Sequence, residues 1–206
     1  LYWIMGQEKN YPAGSFAVTY HYVRQFRPDL PFFTYLDIEN FNKQISWFRQ
    51  YYNFPSQDDF LRCCSTGTVW DGIILTFDDG LCEHYENVLP VLKRNGLWGI
   101  FFVPTAPLKN DVILDVHKVH LVLGKLGGGQ SKKLLMSLIE NSDLAPRLDQ
   151  RDEILDNTYK SPDRDGPASD FKRILNYYLV DDHKKTKILD ILMSKAFGSN
   201  WLKVGS

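Results

Sequence analysis

The chain has little from which to build a disulfide framework: three cysteines in 206 residues. The count is odd, and Cys63 and Cys64 are adjacent, a spacing that does not suit an ordinary structural bridge. A reducing, cytoplasmic setting in a bacterium is the expectation. No stretch approaches the roughly 20 apolar residues that span a bilayer, so no membrane span is expected. Leu1–Tyr11 has no basic segment leading into an apolar one, the pattern of a signal peptide. Excess charge of one sign is missing as well. The 24 basic and 25 acidic residues are interspersed, with a net charge of −1, which leaves no electrostatic footprint for nucleic acid or an anionic membrane and suits a neutral or small polar substrate. Internal repeats and low-complexity tracts are absent too. What is present is the composition of one globular domain, 44% hydrophobic and 24% charged, long enough to bury a sizeable core. Aromatics make up 14%, with Tyr20, Tyr22, Trp47, Tyr51, Tyr52 and Trp70 in the first third. Core packing is the preferred reading of them, and stacking on sugar rings the alternative.

Strand and helix signals alternate through the first half. Phe16–Val23, FAVTYHYV, follows the turn signal Pro12–Ser15 and is rich in β-branched and aromatic residues, predicting a first strand. Asp37 is placed to cap a helix through Tyr52, with Phe41, Ile45 and Phe48 at helical spacing. Ser56 with Asp59 marks a second, short helix through Phe60 and Leu61, closed by a polar loop over Ser65–Gly72. Ile73–Phe77 is a continuous apolar run, as expected of a strand buried on both faces in a parallel sheet. Cys82–Asn95 reads as a helix stopped at Asn95-Gly96, and Trp98–Val103, WGIFFV, as the next buried strand. Strands alternating with crossover helices predict an α/β architecture with its site at the C-terminal strand ends. Beyond Pro107 the periodicity is helical, in Leu114–Leu126, Lys132–Ile139, Phe171–Val180 and Lys184–Phe197. Gly127–Gly129 and Ser161–Asp170 read as flexible breaks within it.

Asp78 and Asp79 stand where the buried strand runs into Gly80. Neighbours on a regular strand point to opposite faces, so both carboxylates face one pocket only if the backbone turns there, which Gly80 permits. Two anions at an apolar strand end are costly unless a cation or proton offsets them, which argues for function over structure.

The segment Thr76-Phe77-Asp78-Asp79-Gly80 resembles the first motif of the NodB-homology polysaccharide deacetylases, carbohydrate esterase family 4. His84–Pro104 is similar to the helix and strand that follow this motif in the family, and Val18–Val23, VTYHYV, to the tyrosine-histidine strand that opens many members. The resemblance covers roughly residues 16–107. It implies a distorted (β/α) barrel, incomplete in this chain: residues 1–107 as the N-terminal part of the deacetylase domain and 108–206 as a helical insertion, similar to one in a bacterial subgroup. It also implies a hydrolase that removes N-acetyl or O-acetyl groups from a polysaccharide or amino sugar. In that scheme Asp78 is the general base and Asp79 a ligand of a divalent metal, expected to be zinc, whose bound water is the nucleophile. His21, at the end of the first strand, reads either as a contact to the substrate or to a site residue at the barrel mouth or as a buried, hydrogen-bonded core residue. The family's second motif, a His-[Ser/Thr]-x-x-His pair, is not found in this sequence. The chain starts at Leu1 and ends in Asn200–Ser206, so truncation is the expected reason, and the fragment alone is expected to be inactive.

Rival readings follow from other residues. His117 and His120 share a helix face with Asp115 nearby, but their spacing is one short of the family's pair, and a packed or solvent-facing role is expected. His84 and His183 read as ordinary surface residues, and the cysteines as packing residues. Phosphoryl-transfer enzymes of the haloacid-dehalogenase type also place aspartates after a buried strand, but separate them by one residue, unlike Asp78-Asp79. A catalytically inactive glycan-binding relative of the same fold is the alternative function.

Overall fold

The computed structural model describes residues 14–140, 165–179 and 182–204. The chain forms two compact units: one from the chain up to Gln25 together with Tyr35–Pro104, the other from Phe26–Thr34 together with the chain from Thr105 onward.

The first unit is built on parallel strands. Strand β1 (Ser15–Tyr20) pairs with β4 (Gly72–Phe77) in unbroken register from Ser15↔Gly72 to Tyr20↔Phe77, and β4 pairs with β5 (Ile100–Phe101), giving the order β1-β4-β5. All six residues of β4 are buried, as a continuous apolar run in a central parallel strand requires. A second parallel pair joins β2 (Val23–Arg24) to β3 (Leu36–Asp37), so the first predicted strand ends earlier, at Tyr20, and resumes in another sheet.

Helix α1 (Ile38–Tyr51) starts where Asp37 accepts the Glu39 N–H and turns Phe41 and Ile45 inward. Helix α2 (Gln57–Thr66) is capped by Ser56, which accepts the Asp59 N–H, and ends at left-handed Gly67. It thus outruns the expected stop near Leu61 and absorbs the start of the predicted loop. After β4, a π-turn over His84–Val88 leads into helix α3 (Leu89–Asn95), which stops at left-handed Gly96. Tyr20, Phe41, Ile45, Ile73, Leu75, Phe77, Val88, Val91 and Leu92 form one core cluster, each large apolar side chain contributing about 1.5–3 kcal/mol on burial. The Tyr20 ring stacks on Phe77 at 5.5 Å and meets Phe41 edge-on at 5.1 Å.

The predicted strand Trp98–Val103 is corrected in extent and burial. Only Ile100–Phe101 pairs, and Phe101, Phe102 and Val103 are 38%, 54% and 53% exposed. As a sheet edge, β5 has a strand neighbour on one side only, so an apolar run that sequence reads as doubly covered is half uncovered.

The second unit is helical among its described residues: α4 (Thr105–Asn110), α5 (Asp115–Glu140), α6 (Gly166–Arg173) continuing as a π-turn over Ile174–Tyr178, and α7 (Asp182–Phe197), followed by a 3-10 turn at Trp201–Val204. Val122, Leu135, Ile139, Phe171, Leu175, Ile188 and Leu192 are buried in it. Helix α5 breaks at Gly127, whose φ of 73° is left-handed, where the sequence predicts a break. The break is packed, not flexible: Gly127 lies against the Phe32 ring, and a Cβ on Gly128 would collide with the Asp165 carboxylate and the Ala168 nitrogen. Of the other predicted break, residues 161–164 lie outside the described residues, and Gly166–Asp170 are helical because Asp165 caps them by accepting the Ala168 N–H.

Candidate functional site

Strand β4 delivers Asp78 and Asp79 to the edge of the core. The Asp78 N–H donates to the Tyr20 carbonyl at 2.9 Å, extending the β1–β4 ladder by one step. The chain then leaves the sheet through two successive left-handed residues, Asp79 at φ 76° and Gly80 at φ 58°. The sequence places the turn at Gly80 alone. Holding Asp79 in that region costs on the order of 1–3 kcal/mol, and aspartate is among the residues that tolerate it best. A Cβ on Gly80 would approach Val103 Cγ1 at 2.9 Å, so glycine also suits the space.

This turn lets adjacent carboxylates face one neighbour. His21 Nε2 lies 3.7 Å from Asp78 Oδ2 and 4.0 Å from Asp79 Oδ2, with side-chain exposures of 51%, 34% and 24% for the three residues. All three are therefore reachable from solvent. Tyr22, the next residue, has its phenol pushed above the ordinary range by burial and then by the charge of Asp79, against a smaller opposing pull from Arg24. It stays neutral and keeps its proton as a donor at neutral pH.

Two residues beside the aspartates escape the sequence reading. His84 is buried, 3% exposed, not a surface residue: its Nε2 lies 2.7 Å from the His21 carbonyl and its ring packs against Phe77 and Phe101. Glu83 is buried too and takes a bidentate pair from Arg24, at 2.8 Å from Nε and 2.7 Å from Nη2. A signal was available for His84, since it precedes Val88, Val91 and Leu92 by four, seven and eight positions, the spacing of one buried helix face. The packing reading of the cysteines also needs correction, because Cys64 and Cys82 are exposed and only Cys63 is partly buried. All three are free thiols.

His117 and His120 are partly buried on α5 in the second unit. His120 lines a cavity of about 250 Å³ together with Asp165 and Lys172. Asp115 is committed elsewhere, to Lys118 at 3.0 Å and to the Thr186 hydroxyl at 2.8 Å. His183 is exposed.

Among the described residues, no group of three or more His, Cys, Asp or Glu side chains could hold a metal ion. Two carboxylates and an imidazole are the right kinds of donor for a divalent cation. Two ligands of one tetrahedral zinc, each about 2.1 Å from it, lie roughly 3.4 Å apart, whereas His21 stands 3.7 and 4.0 Å from the carboxylates. The residues present do not by themselves fit a closed metal centre.

No protein family and no curated protein matches the chain by sequence. Among solved structures, the chain is similar to IcaB from Ammonifex degensii, at 20% identity over 61% of this chain and 50% of that one, with a TM-score of 0.37. It is similar to the Streptococcus pyogenes deacetylase PplD in complex with acetate, at 19% identity over 57% of this chain and 50% of that one, TM-score 0.39. A third similar structure is BC0361, a polysaccharide deacetylase from Bacillus cereus, at 21% identity over 60% of this chain and 36% of that one, TM-score 0.31. The chain spans half or less of each of these structures, and likenesses this loose have no bearing on its reaction or substrate.

Proposed function

We propose that the first unit carries the base-bearing part of a carbohydrate deacetylase site, within a distorted (β/α) barrel of which the β1-β4-β5 sheet is one part. The supporting observation is the turn at Asp79-Gly80, which brings the carboxylates of Asp78 and Asp79 to within 4.0 Å of one imidazole while all three stay accessible. A neutral Tyr22 beside a charged Asp79 adds a donor to the same region.

The reaction is hydrolysis of an acetyl amide or ester on a sugar. Water adds to the acyl carbon, the bond from that carbon to nitrogen or oxygen breaks, and acetate leaves while the sugar amine or hydroxyl takes up a proton. Asp78 accepts the proton of the attacking water, a role worth about 10²–10⁴-fold in rate. His21, beside both carboxylates, orients the sugar or the water. Asp79 is the residue assigned to a divalent cation, zinc in the first instance, and such a centre needs more donors than the described residues supply.

The test uses the native protein that carries this chain, with acetate release from an N-acetylated chito-oligosaccharide as readout. Asp78→Asn is expected to lower turnover by about 10²–10⁴-fold. Near-normal acetate release by that variant would remove Asp78 from the mechanism.

A further inference from the structure

The exit of β1 carries His21, and the exit of β4 carries the two aspartates. Past the last β1–β4 ladder bond, from Asp78 N–H to Tyr20 O, residues 21–24 leave that sheet, and Val23–Arg24 pair with β3. Residues 21–24 are instead tied side by side. Tyr22 O accepts the Leu36 N–H at 2.9 Å, Val23 O accepts Asn87 Nδ2 at 2.9 Å, Arg24 pairs with Glu83, and His21 O meets His84 Nε2. Three of these four ties come from one stretch, Glu83 to Asn87, which begins three residues after Gly80. The segment following the aspartates thus reaches back and fixes the segment bearing the histidine.

His84 is the member that grips His21 itself. A carbonyl can only accept, so Nε2–H is the donor, and the ring's other polar atom is Nδ1. That atom is buried and has no partner among the described residues. For packing alone, a leucine or phenylalanine against the stacked Phe77 and Phe101 rings would do better, because it would bury no unpartnered polar atom. The polar atom of this buried ring that has a partner is the one on the His21 carbonyl.

We propose that His84 is a positioning residue: its Nε2–H fixes the His21 main chain and so holds the His21 imidazole beside Asp78 and Asp79. This rests on reading Asp78, Asp79 and His21 as one site. The paired variants are His84→Leu, which fills the slot without a donor, and His84→Gln, whose amide nitrogen reaches the place of Nε2. In the 206-residue chain, nitrogen-15 spectra of the histidine rings report two things without substrate. They show whether His84 is the Nε2-protonated tautomer, and whether His21 ring signals respond to Asp78→Asn. The wild-type and His84→Gln chains are expected to show that response, and His84→Leu to lose it. In the native protein, His84→Leu is expected to lower kcat about tenfold or more with KM nearly unchanged, and His84→Gln to recover most of it. An Nδ1-protonated His84, or His21 signals that respond equally in the leucine variant, would overturn the proposal. If the leucine variant fails to fold, the glutamine variant decides: loss of the His21 response there refutes positioning, and its retention supports it. Absence of acetate release from the wild-type protein would count against the deacetylase reading alone, since the spectra do not depend on turnover.

Discussion

Two charged regions, around Lys118 in the helical unit and at Asp78-Asp79 in the sheet unit, differ in how they are enclosed. In the helical unit, buried charge is closed off: Lys118, 5% exposed, is held by Asp190 at 2.8 Å and Asp115 at 3.0 Å, and Asp115 also accepts from Thr186. Burial disfavours the Lys118 ammonium, but the hydrogen bonds it donates to Asp190 and then to Asp115 outweigh it and raise its pKa. In the sheet unit, Asp78 and Asp79 stand at a strand end in a left-handed turn, partly exposed, beyond hydrogen-bond length from the imidazole they face. The Lys118 ammonium is enclosed by its partners, while the two aspartates keep part of their surface open to solvent. The contrast lies between these sites and not between whole units, since the sheet unit also encloses a buried pair, Arg24 with Glu83.

The contrast can be tested from the stable side of each unit first. Phe41→Ala in the sheet unit is expected to destabilise by about 3–5 kcal/mol, because a fully buried ring leaves a cavity, with the loss read from the denaturation midpoint. Lys118→Met in the helical unit is expected to cost about 1–2 kcal/mol, less than a sealed pair, since Asp190 is 44% exposed. The sign of its pH dependence follows from the raised pKa. The Lys118 contribution is fully present below the unfolded lysine value of about 10.4 and fades as pH rises through the higher folded value. Denaturation midpoints across that alkaline window should fall more steeply for the wild type than for Lys118→Met; parallel curves would mean the ion pair is idle. Ser56→Ala, which removes the cap of α2, is expected to cost about 1 kcal/mol.

What the sequence discloses and what it hides divide along physical lines. The Ile73–Phe77 run, the Asp37 and Ser56 caps and the Gly127 break are legible because each is a local rule: burial on both faces, a side chain bonding its own first turn, a left-handed residue. The pair Asp78-Asp79 is legible as a candidate site because two charges at an apolar strand end are costly without a partner. The hidden features depend on partners far along the chain. Glu83 is buried because Arg24, 59 residues away, neutralises it. His84 is buried through a bond to a carbonyl 63 residues away, and its polar type masks its place on the apolar face. Phe26–Thr34 joins the helical unit, where the Phe32 N–H donates to Gly124 O at 2.9 Å. The left-handed Asp79 is hidden for another reason, since a neighbouring glycine draws the expected turn to itself.

The smallest expected effects concern the helical unit's histidines. Replacing His117 and His120 by glutamine is expected to leave metal content unchanged. Titration of the 206-residue chain with zinc is expected to give binding weaker than micromolar, because a catalytic zinc site usually has three protein ligands. Sub-micromolar binding lost with those two histidines would move the metal site out of the sheet unit and erase the contrast.

The central claim is that the two adjacent aspartates do different work at one strand end. Metal content by elemental analysis, measured on the native protein that carries this chain, tests it most directly when Asp78→Asn and Asp79→Asn are compared side by side. Asp79→Asn is expected to lose the metal, while Asp78→Asn is expected to keep most of it and still release acetate about 10²–10⁴-fold more slowly. Equal, stoichiometric metal in both variants, with acetate release near that of the wild type, would contradict it.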